Sequence, residues 1–321
     1  MDSDMRKPKI VVIGSSNTDM ILKLSHIPGP GETVLGGEFS IAQGGKGANQ
    51  AVASARAGGD VVFISCVGDD QFGKKAIEKL GDEGIETSYI KVIRDVASGI
   101  AMINVAESGE NSISVAPGAN SYLLPADIQV AEDVVKMADV ILIQLEIPVE
   151  TVLKAVKIAR KFNVPVILNP APACALSDEL LSNIDIITPN ENEAAVIAGM
   201  EPVSSSIPDL AVCLCKKVSG TVIITLGKDG AYYCQNDVGR QIDGYKVNVV
   251  DTTAAGDTFN GYLAVSLASG NRLEDAIRIA NKAASLSVMR LGAQPSIPYL
   301  DEVVEKSTIG RNYDTDLGKI K

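Results

Sequence analysis

Histidine and tryptophan are almost missing from the 321-residue sequence, which contains one histidine and no tryptophan. With His26 as the sole imidazole, a histidine-rich metal site is excluded, and any Ser-His-Asp hydrolase would depend on that one residue. Aromatic residues make up only 4% of the chain, so its hydrophobic core must be aliphatic. The five cysteines are scattered without a zinc-binding spacing, which favours free thiols in a reducing compartment.

Long apolar runs and an excess of basic charge are also missing. No run approaches the roughly 18 to 20 apolar residues of a membrane span, and the N-terminus lacks an apolar signal core. Forty acidic residues against 29 basic ones leave a net charge of -11, which argues against binding to nucleic acid or to an anionic membrane. The sequence therefore predicts a soluble, cytoplasmic protein with neither of these partners.

Short apolar runs that alternate with helical patterns predict an α/β protein. At about 150 residues per domain, the length fits two domains or one large one. The predicted strands are 9–13, 61–66, 140–144, 164–168, 184–188 and 222–225. The predicted helices are 48–57, 72–83, 126–137, 149–162, 191–198, 208–218, 256–267 and 273–289. This alternation indicates a parallel sheet with helices on both faces, and the nearly continuous apolar runs fit strands that are buried on both sides.

Two stretches depart from this alternation. Residues 19–42 read as strand segments interrupted by Pro28-Gly29-Pro30-Gly31, and residues 98–115 read as a hairpin. We expect the two to form a small β-sheet lid whose exposed strand edges could pair with a second copy of the chain. The predicted division is a core of 1–16, 44–97 and 123–306, a lid of 17–43 and 98–122, and a flexible tail of 307–321.

The common nucleotide-binding fingerprints G-x-x-x-x-G-K-[ST] and G-x-G-x-x-G are absent, which removes the main support for P-loop enzymes and for nicotinamide-dependent oxidoreductases. A different glycine-rich cluster, at residues 43–50, opens a predicted helix. Its glycines let a ligand approach the backbone, and Lys46 and Asn49 supply donors for hydroxyl or phosphate groups. The alternative interpretation is that these glycines only allow the start of the helix to pack closely against its neighbours.

A second cluster of small residues, at 251–261, leads directly into another predicted helix. The first amides of that helix could stabilise the negative charge of a phosphoryl group in transfer. Asp257 stands in the first turn, where it could accept a proton from an attacking hydroxyl. An ordinary N-terminal acid that stabilises the helix is the alternative interpretation of Asp257.

Acids and amides also follow several predicted strands. Asn190 and Glu193 follow one strand and could hold hydrated Mg²⁺ or phosphate, or simply start a helix. Asn17 and Asp19 follow the first strand and Glu146 follows another, and carboxylates there can accept hydrogen bonds from a vicinal diol. Ligands of open α/β sheets bind at the C-terminal ends of the strands, so the set predicts a kinase of a polyhydroxylated small molecule.

With these motifs, the chain resembles the ribokinase branch of the phosphofructokinase-B carbohydrate kinase family from about residue 10 to residue 298. Residues 44–50 resemble the N-terminal signature of the family and 251–261 its C-terminal signature, although Tyr262 stands where a smaller residue is more usual. Residues 144–146, 169–173 and 292–296 resemble the ribokinase branch in particular. The resemblance implies a three-layer α/β/α fold, with a central, mostly parallel sheet and a small β-sheet lid.

The resemblance also implies a reaction, the ATP-dependent phosphorylation of D-ribose at O5 to D-ribose 5-phosphate. Asp257 would be the catalytic base, and the backbone amides of Ala254, Ala255 and Gly256 would form the anion hole. The implied sugar-binding residues are Asn17, Thr18, Asp19, Gly45, Lys46, Gly47, Ala48, Asn49, Glu146 and Asp257. The implied ATP-binding residues are Asn190, Thr225, Leu226, Gly227, Lys228, Asp229, Gly230, Gly256 and Asn281.

Two metal ions and a homodimer follow from the same resemblance. Glu193 would position Mg²⁺ through water. An activating K⁺ would be held by Asp251, Thr253, Ser287, Arg290, Gly292 and Ser296. The homodimer would form through the lid sheets.

Two other functions stay open at this stage. One is a kinase of another small sugar or of a nucleoside, although a nucleoside base usually calls for aromatic walls, which the lid segments lack. The other is a non-catalytic sugar-binding regulator on the same fold, for which the loss of Asp257 or Gly256 would have been the sign; both are present.

Overall fold

The protein has a large central β-sheet and a smaller second sheet. Its computed structural model describes residues 6–201, 205–236 and 238–309. The strands are β1 (Lys9–Ile13), β2 (Asn17–Leu24), β3 (Glu38–Gly44), β4 (Asp60–Gly68), β5 (Ile90–Ile93), β6 (Gly99–Ala106), β7 (Asn111–Ala116), β8 (Val140–Ile143), β9 (Val166–Leu168), β10 (Ile186–Ile187), β11 (Thr221–Thr225), β12 (Ala231–Gln235) and β13 (Val238–Ile242). The central sheet has the order β13-β12-β11-β10-β9-β8-β1-β4-β5. Its strand pairs are parallel except for β11–β12 and β12–β13, which are antiparallel.

Helices cover both faces of the central sheet. They are α1 (Lys46–Arg56), α2 (Gln71–Asp82), α3 (Pro125–Val130), α4 (Glu132–Lys136), α5 (Val149–Lys161), α6 (Asp178–Leu181), α7 (Glu191–Ala198), α8 (Ile207–Cys215), α9 (Ala255–Ala268), α10 (Leu273–Ser287) and α11 (Leu300–Ile309). One aliphatic core lies between the sheet and α3 to α8, and a second lies between the sheet and α1, α2, α9 and α10. Within the described ranges, none of these helices combines the length and the apolar character needed to span a membrane.

The small sheet has the order β3-β2-β6-β7 and projects from the core beside β1 and α1. Strands β2 and β6 run parallel, and each carries an antiparallel partner, β3 and β7. Asn17 stands opposite both Gly44 and Gly99, and Asp19 stands opposite Ala42 and Ala101. Because side chains alternate along a strand, Asn17 and Asp19 lie on one face of this sheet.

The predicted fold class is confirmed, since the protein has three layers, a mostly parallel central sheet and a separate small sheet. All six predicted strands of the central sheet are present, but the prediction was wrong in omitting β5, β12 and β13. Strand β13 is exposed over most of its length and β5 over half, so neither carries the apolar run expected of a buried strand. The antiparallel β12–β13 hairpin lies at the sheet edge, and β12, which carries a mostly buried run from Ala231 to Cys234, was overlooked although its pattern fits a strand.

Several predicted helices also need correction. The predicted helix 126–137 is two helices, α3 and α4, separated at Ala131. The four-residue helix α6 was not predicted, and it begins where the Ser177 hydroxyl accepts a hydrogen bond from the Leu180 amide. Helix α11 extends to Ile309, three residues into the predicted tail of 307–321. The remainder of that tail lies outside the described residues.

Candidate active site

Two adjoining cavities lie at the C-terminal ends of the parallel strands. The inner cavity, of 210 Å³, is lined by Lys46, Asn169, Ala171, Thr188, Asn190, Glu193, Thr225, Thr252, Ala254, Ala255, Gly256, Asp257 and Asn260. The outer cavity, of 380 Å³, shares Thr225, Thr252, Ala255 and Gly256 with it. The two cavities therefore meet at the N-terminus of α9, at the edge of the sheet where a ligand is expected.

The first turn of α9 is fixed by its own backbone and by β10. Ala254, directly before the helix, has a left-handed conformation with φ 59°, which is unfavourable for a residue other than glycine. Its carbonyl accepts hydrogen bonds from both the amide and the hydroxyl of Thr258, at 2.8 Å each. Asn260 donates to the Gly256 carbonyl and accepts from the Thr188 hydroxyl. The turn that opens the helix towards the inner cavity is thus held in one conformation.

Asp257 lies in this first turn and is 7% exposed. Its Oδ2 accepts a hydrogen bond from Asn49 Nδ2, and its Oδ1 accepts one from Gln50 Nε2, both at 2.9 Å. Burial raises the pKa of Asp257, and this outweighs the lowering by the charge of Lys46 and by the two amide donors. A buried carboxylate with a raised pKa and two fixed donors is suited to accept a proton from a ligand.

A network of buried amide side chains fixes the position of the Asp257 carboxylate. Gln50 is fully buried, and its Nε2 donates to Asn169 Oδ1 at 3.0 Å as well as to Asp257. Its Oε1 accepts from Gln144 Nε2 at 2.5 Å. Asn169 in turn donates to the Thr188 carbonyl. Since every hydrogen-bonding atom of the Gln50 side chain is engaged, the amide has a single orientation and fixes the carboxylate with it.

Sequence reasoning missed Gln50, Asn169 and Gln144 as functional residues, although it quoted the segments that contain them. The signal was present in their positions: Gln144 and Asn169 directly follow two core strands, β8 and β9. Their partners, however, lie about a hundred residues away along the chain, and only the fold brings them together.

Asp19 and Glu146 are two further carboxylates on the same side of the molecule. Burial raises the pKa of Asp19 to about 7, and the nearby charges of Glu146 and Asp257 add to the rise. A side chain at position 44 would overlap the Asp19 carboxylate, which explains the glycine there. Glu146 Oε2 accepts from Ser15 Oγ at 2.5 Å and from the Lys46 amide at 3.1 Å, so its carboxylate joins the end of β1 to the start of α1.

Asn49 has a buried side-chain oxygen, Oδ1, without a hydrogen-bond partner in the described part of the chain. Leaving a buried acceptor unsatisfied is costly, and native proteins rarely do so. Because its Nδ2 is already bound to Asp257, the free Oδ1 can accept a hydrogen bond from a ligand hydroxyl at this position. Gln43 Oε1 and Gln144 Oε1 are two further buried acceptors without a partner in the described residues.

Three of the predicted sugar-binding residues pack into the protein. Thr18 alternates with Asn17 and Asp19 and so points to the opposite face of the small sheet. The side chain of Ala48 is part of the aliphatic core. A Cβ on Gly47 would lie 2.5 Å from the Ser15 amide, so glycine allows close packing of the backbone here.

Lys46 lines the inner cavity together with Glu193 and Asp257. Burial lowers the pKa of Lys46, but the carboxylates of Asp257, Glu146 and Glu193 outweigh it and the net pKa is raised. The ammonium group is therefore charged at neutral pH. It places a fixed positive charge beside the start of α9, where an anionic group would be stabilised.

Asn190 and Glu193 form the N-terminal cap of α7. The Asn190 side chain accepts from the Glu193 amide at 2.9 Å, and the Glu193 carboxylate accepts from the Asn190 amide at 2.8 Å. This is the helix-start role left open by the sequence, yet both residues also line the inner cavity. Burial raises the pKa of Glu193, more than its hydrogen bond to Asn190 and the charge of Lys46 lower it. Among the described residues there is no group of three or more His, Cys, Asp or Glu side chains that could hold a metal ion.

The outer cavity has mainly apolar walls and backbone. The predicted residues Thr225, Gly227, Lys228, Gly230, Gly256 and Asn281 line it, together with Gly244, Tyr245, Lys246, Val247, Val249, Thr252, Ala255, Phe259, Ala284, Ser285 and Val288. Leu226 and Asp229 do not face it. Asn281 Nδ2 donates to the carbonyls of Ile242 and Asp243, at 3.3 Å each, which fixes the start of the 243–250 segment.

Of the predicted K⁺-binding residues, Thr253 and Gly292 are hydrogen-bonded to Asp251. Its Oδ1 accepts from the amide and the hydroxyl of Thr253, and its Oδ2 accepts from the Gly292 amide at 2.8 Å. Burial raises the pKa of Asp251, but these hydrogen bonds reverse the effect and the net pKa is lowered. Ser296 Oγ donates to the Ala293 carbonyl. An ionised carboxylate thus joins the 292–296 segment to the turn before α9.

Tyr262, the departure from the family pattern, has a packing role. It is 1% exposed, and its hydroxyl donates to the Pro298 carbonyl at 2.9 Å. Arg56 binds the same segment, with one guanidinium nitrogen donating to the carbonyls of Gln294 and Ile297 at 2.8 and 2.7 Å. The two side chains hold the 294–298 segment against α1 and α9.

Comparisons with known proteins show what the chain is similar to. The profile of the pfkB family carbohydrate kinases matches residues 7–300. A ribokinase of Haemophilus influenzae is 46% identical over 303 residues, which cover 94% of this chain and 98% of the relative. Among solved structures, a ribokinase of Thermotoga maritima has a TM-score of 0.85 at 36% identity and covers 94% of this chain and 100% of its own. An Arabidopsis thaliana ribokinase, complexed with ribose and ATP, has a TM-score of 0.85 at 32% identity, covering 94% of this chain and 98% of its own.

Proposed function

The chain belongs to the pfkB family of carbohydrate kinases, and on that premise we propose that it transfers the γ-phosphoryl group of ATP to O5 of D-ribose, forming D-ribose 5-phosphate. The observation that carries the proposal is the position of Asp257. Its buried carboxylate lines the inner cavity in the first turn of α9 and is near enough to Asp19 for the two charges to interact. The ribokinases among its relatives, and the one solved with ribose and ATP, support D-ribose as the sugar.

The sugar hydroxyls bind the carboxylates and amides on the side of the small sheet. Asp19 and Glu146 accept hydrogen bonds from hydroxyl groups, and Asn49 Oδ1 gains the partner that it lacks in the protein alone. Asn17 lies on the same face as Asp19 and contributes its amide. The absence of aromatic walls on this side favours a bare sugar over a nucleoside.

Asp257 acts as the base. Its carboxylate takes the proton of the O5 hydroxyl as the oxygen forms a bond to the γ-phosphorus and the bond from that phosphorus to the bridging oxygen of ADP breaks. The amides before and within the first turn of α9, at 254–256, stabilise the charge on the transferred oxygens. The Ala255 amide also donates weakly to the Thr252 carbonyl, at 3.2 Å, so Gly256 is the leading donor. The Lys46 ammonium adds positive charge beside them.

ATP occupies the outer cavity with its phosphates towards the shared wall at Thr225, Thr252, Ala255 and Gly256. The apolar side chains of Val247, Val249 and Phe259 suit a flat base, and Asn281 fixes the segment that carries the two valines. A pocket with mostly apolar walls and a few polar groups is typical of a nucleotide-sized ligand.

The site residues fit both proposed metal ions. Glu193 and Asn190 present oxygen atoms to the inner cavity, as Mg²⁺ requires, and the low number of protein ligands is usual for an ion that keeps its water. When bound, Mg²⁺ neutralises phosphate charge. The oxygens of Asp251, Thr253, Ser287, Arg290, Gly292 and Ser296 would hold K⁺, next to the turn that precedes α9. The lowered pKa of Asp251 keeps the negative charge that a cation needs.

The proposal includes a homodimer through the small sheets and a cytoplasmic location. Phe39, Ile41 and Met102 are 61%, 44% and 53% exposed on one face of the small sheet, and Ile113 and Val115 are half exposed on the other. Apolar side chains grouped in this way are usually covered by a partner. Sedimentation should give twice the chain mass of 33.6 kDa, and a double Met102→Glu, Ile113→Glu variant should be monomeric. The five cysteines are free thiols, as expected in a reducing compartment.

A coupled ADP-release assay tests the proposed function. The purified protein is given Mg-ATP with D-ribose, 2-deoxyribose, fructose or adenosine, each in K⁺ and in Na⁺ buffer. Turnover that depends on D-ribose, rises in K⁺ and is lost with EDTA is the expected result. Turnover only with adenosine or fructose would retain the kinase mechanism but overturn the assigned sugar. Measurable D-ribose binding without any turnover would instead indicate a non-catalytic regulator.

A further inference from the structure

Asn120 lies in a short 3-10 helix, Gly118–Tyr122. It is about a hundred residues from Asn17 along the chain, but in the fold it contacts Ser16 and Asn17 at the start of β2. Its side chain is 1% exposed and fully engaged. Oδ1 accepts from the Ser16 amide at 2.9 Å, and Nδ2 donates to Asn17 Oδ1 at 2.7 Å and to the Ser16 carbonyl at 3.3 Å. Because both of its polar ends are bound to the backbone of Ser16, the Asn120 amide cannot turn over without losing these bonds.

Gly99, the first residue of β6, closes this pair from the other side. It stands opposite Asn17 in the parallel β2–β6 register. A side chain at position 99 would overlap Asn17 Oδ1 and Asn120 Nδ2. The Asn17–Asn120 amide pair is therefore enclosed at the point where β2 and β6 begin.

The pair has a consequence for the ligand. Because Asn17 Oδ1 accepts a hydrogen bond from Asn120 Nδ2, the Asn17 amide is oriented so that its Nδ2 donor is available to a ligand. Asp19, two residues further on the same face, offers only acceptors when it is ionised. A sugar then meets one donor and one acceptor side by side, which suits adjacent hydroxyls that each donate and accept one hydrogen bond.

We propose that Asn120 is a positioning residue, which fixes the amide of Asn17 with its donor towards the sugar. The inference rests on the proposed function, because it takes D-ribose to be the ligand of Asn17. Asn120 itself touches neither the sugar nor the nucleotide. Its effect passes through Asn17 alone, and this sets it apart from a residue that merely stabilises the fold.

The test is Asn120→Asp, which has nearly the same shape. It keeps the acceptor for the Ser16 amide but removes the donor to Asn17 Oδ1 and to the Ser16 carbonyl, so that the Asn17 amide reverses and presents its oxygen to the sugar. We expect the KM and the calorimetric Kd for D-ribose to rise about tenfold, in line with the loss of one hydrogen bond. The kcat and the KM for ATP should change less than twofold. In an Asn17→Ala background, Asn120→Asp should change the KM for D-ribose less than twofold.

Thr151→Val is the matched control. The buried Thr151 hydroxyl donates to the Leu123 carbonyl at 2.7 Å, three residues after Asn120, so the variant loses a buried hydrogen bond to the same segment without touching Asn17. It should lower the Tm and leave the KM for D-ribose unchanged. If Asn120→Asp does not fold, Gly99→Ala disturbs the amide pair from the other side and should raise the same KM.

The outcomes separate the inference from the proposed function. A wild-type protein that neither binds nor phosphorylates D-ribose overturns the proposed function and the inference together. An active wild type whose Asn120→Asp variant keeps its KM for D-ribose overturns the inference alone. So does a rise in KM that persists in full in the Asn17→Ala background, because the effect would then not pass through Asn17.

Discussion

The inner and outer cavities of the site are built in opposite ways. Around the inner cavity, buried carboxylates and amides such as Asp257, Gln50 and Asn169 hold one another by hydrogen bonds between side chains. Around the outer cavity, the walls are backbone and apolar side chains, and Asn281 bonds to main-chain carbonyls. Residue identity therefore determines the chemistry of the inner cavity, whereas the path of the backbone determines the shape of the outer one. Substitutions should therefore affect the two cavities very differently.

Asp257→Asn should have the largest effect. The variant keeps the size of the side chain but cannot take the O5 proton, so kcat should fall by about 10²–10⁴-fold, the usual contribution of a general base. Steady-state turnover with D-ribose and Mg-ATP measures it. Asp275→Asn removes another acid from the first turn of a helix, α10, and should keep full activity. Comparable activity in both variants would contradict the role of Asp257.

Gln50→Met should have the next largest effect. The variant fills the same space but removes the donor to Asp257 Oδ1 and the partner of Gln144. A hydrogen bond to a charged group contributes about 1.5–3 kcal/mol, so kcat should fall by about ten- to a hundredfold. The KM for ATP should not change. Gln129→Met, which alters an exposed glutamine with contacts to Glu132 and Lys154, is the control and should leave kcat unchanged.

The pH dependence of the free energy of unfolding tests whether burial and neighbouring carboxylates raise the pKa of Asp19. The pKa of Asp19 is about 7 in the folded protein against 3.8 ordinarily, so the folded state binds a proton that the unfolded chain releases. This contribution to stability is fully present below about pH 3.8 and is lost as the pH rises to about 7. Asp19→Asn, which carries no charge at any pH, should therefore gain stability over the wild type as the pH rises through this range. The gain should be at most about 1.4 kcal/mol per pH unit.

Urea unfolding at pH 5, 6, 7 and 8 measures this difference. Asp209→Asn, at an exposed acid in the first turn of α8, serves as the control and should show a constant difference from the wild type. A constant difference for Asp19→Asn as well would show that its carboxylate has an ordinary pKa.

Asn281→Ala should have the smallest effect, because the outer cavity depends on backbone. Loss of its hydrogen bonds to Ile242 and Asp243 frees one end of the 243–250 segment. The KM for ATP should rise about fivefold, as expected for about 1 kcal/mol, while the KM for D-ribose should stay the same. Asn271→Ala, in the turn between α9 and α10, should change neither constant. A hundredfold loss on Asn281→Ala would mean that side chains, not backbone, define this cavity.

Local sequence patterns predict some parts of this structure, and contacts between distant residues determine the others. The strands that the sequence predicted are apolar runs buried on both faces, and the acids that it selected follow those strands, so local pattern was sufficient. Asp257 was recognisable because it follows a run of small residues at a helix start. Six of the nine strands of the central sheet, the small sheet and the acids of the inner cavity were accessible in this way.

The remainder depends on contacts that no local pattern contains. A buried glutamine such as Gln50 has the same sequence signature as an exposed one, and Asn120 meets Asn17 across 103 residues. The 244–249 wall of the outer cavity has no regular secondary structure and hence no periodicity to detect. Thr18 was selected with its neighbours, yet the alternation of β2 turns it to the other face. Sequence identified the chemical groups, and the fold determined which of them meet.

The position of the phosphate on the product shows which hydroxyl of D-ribose Asp257 activates. The wild-type protein is incubated with D-ribose labelled with ¹³C at carbon 5 and with Mg-ATP, and the product is examined by NMR for coupling between phosphorus and the labelled carbon. We expect that coupling, since Asp257 activates the O5 hydroxyl. A phosphate on O1, or ADP release without any sugar phosphate, would contradict it.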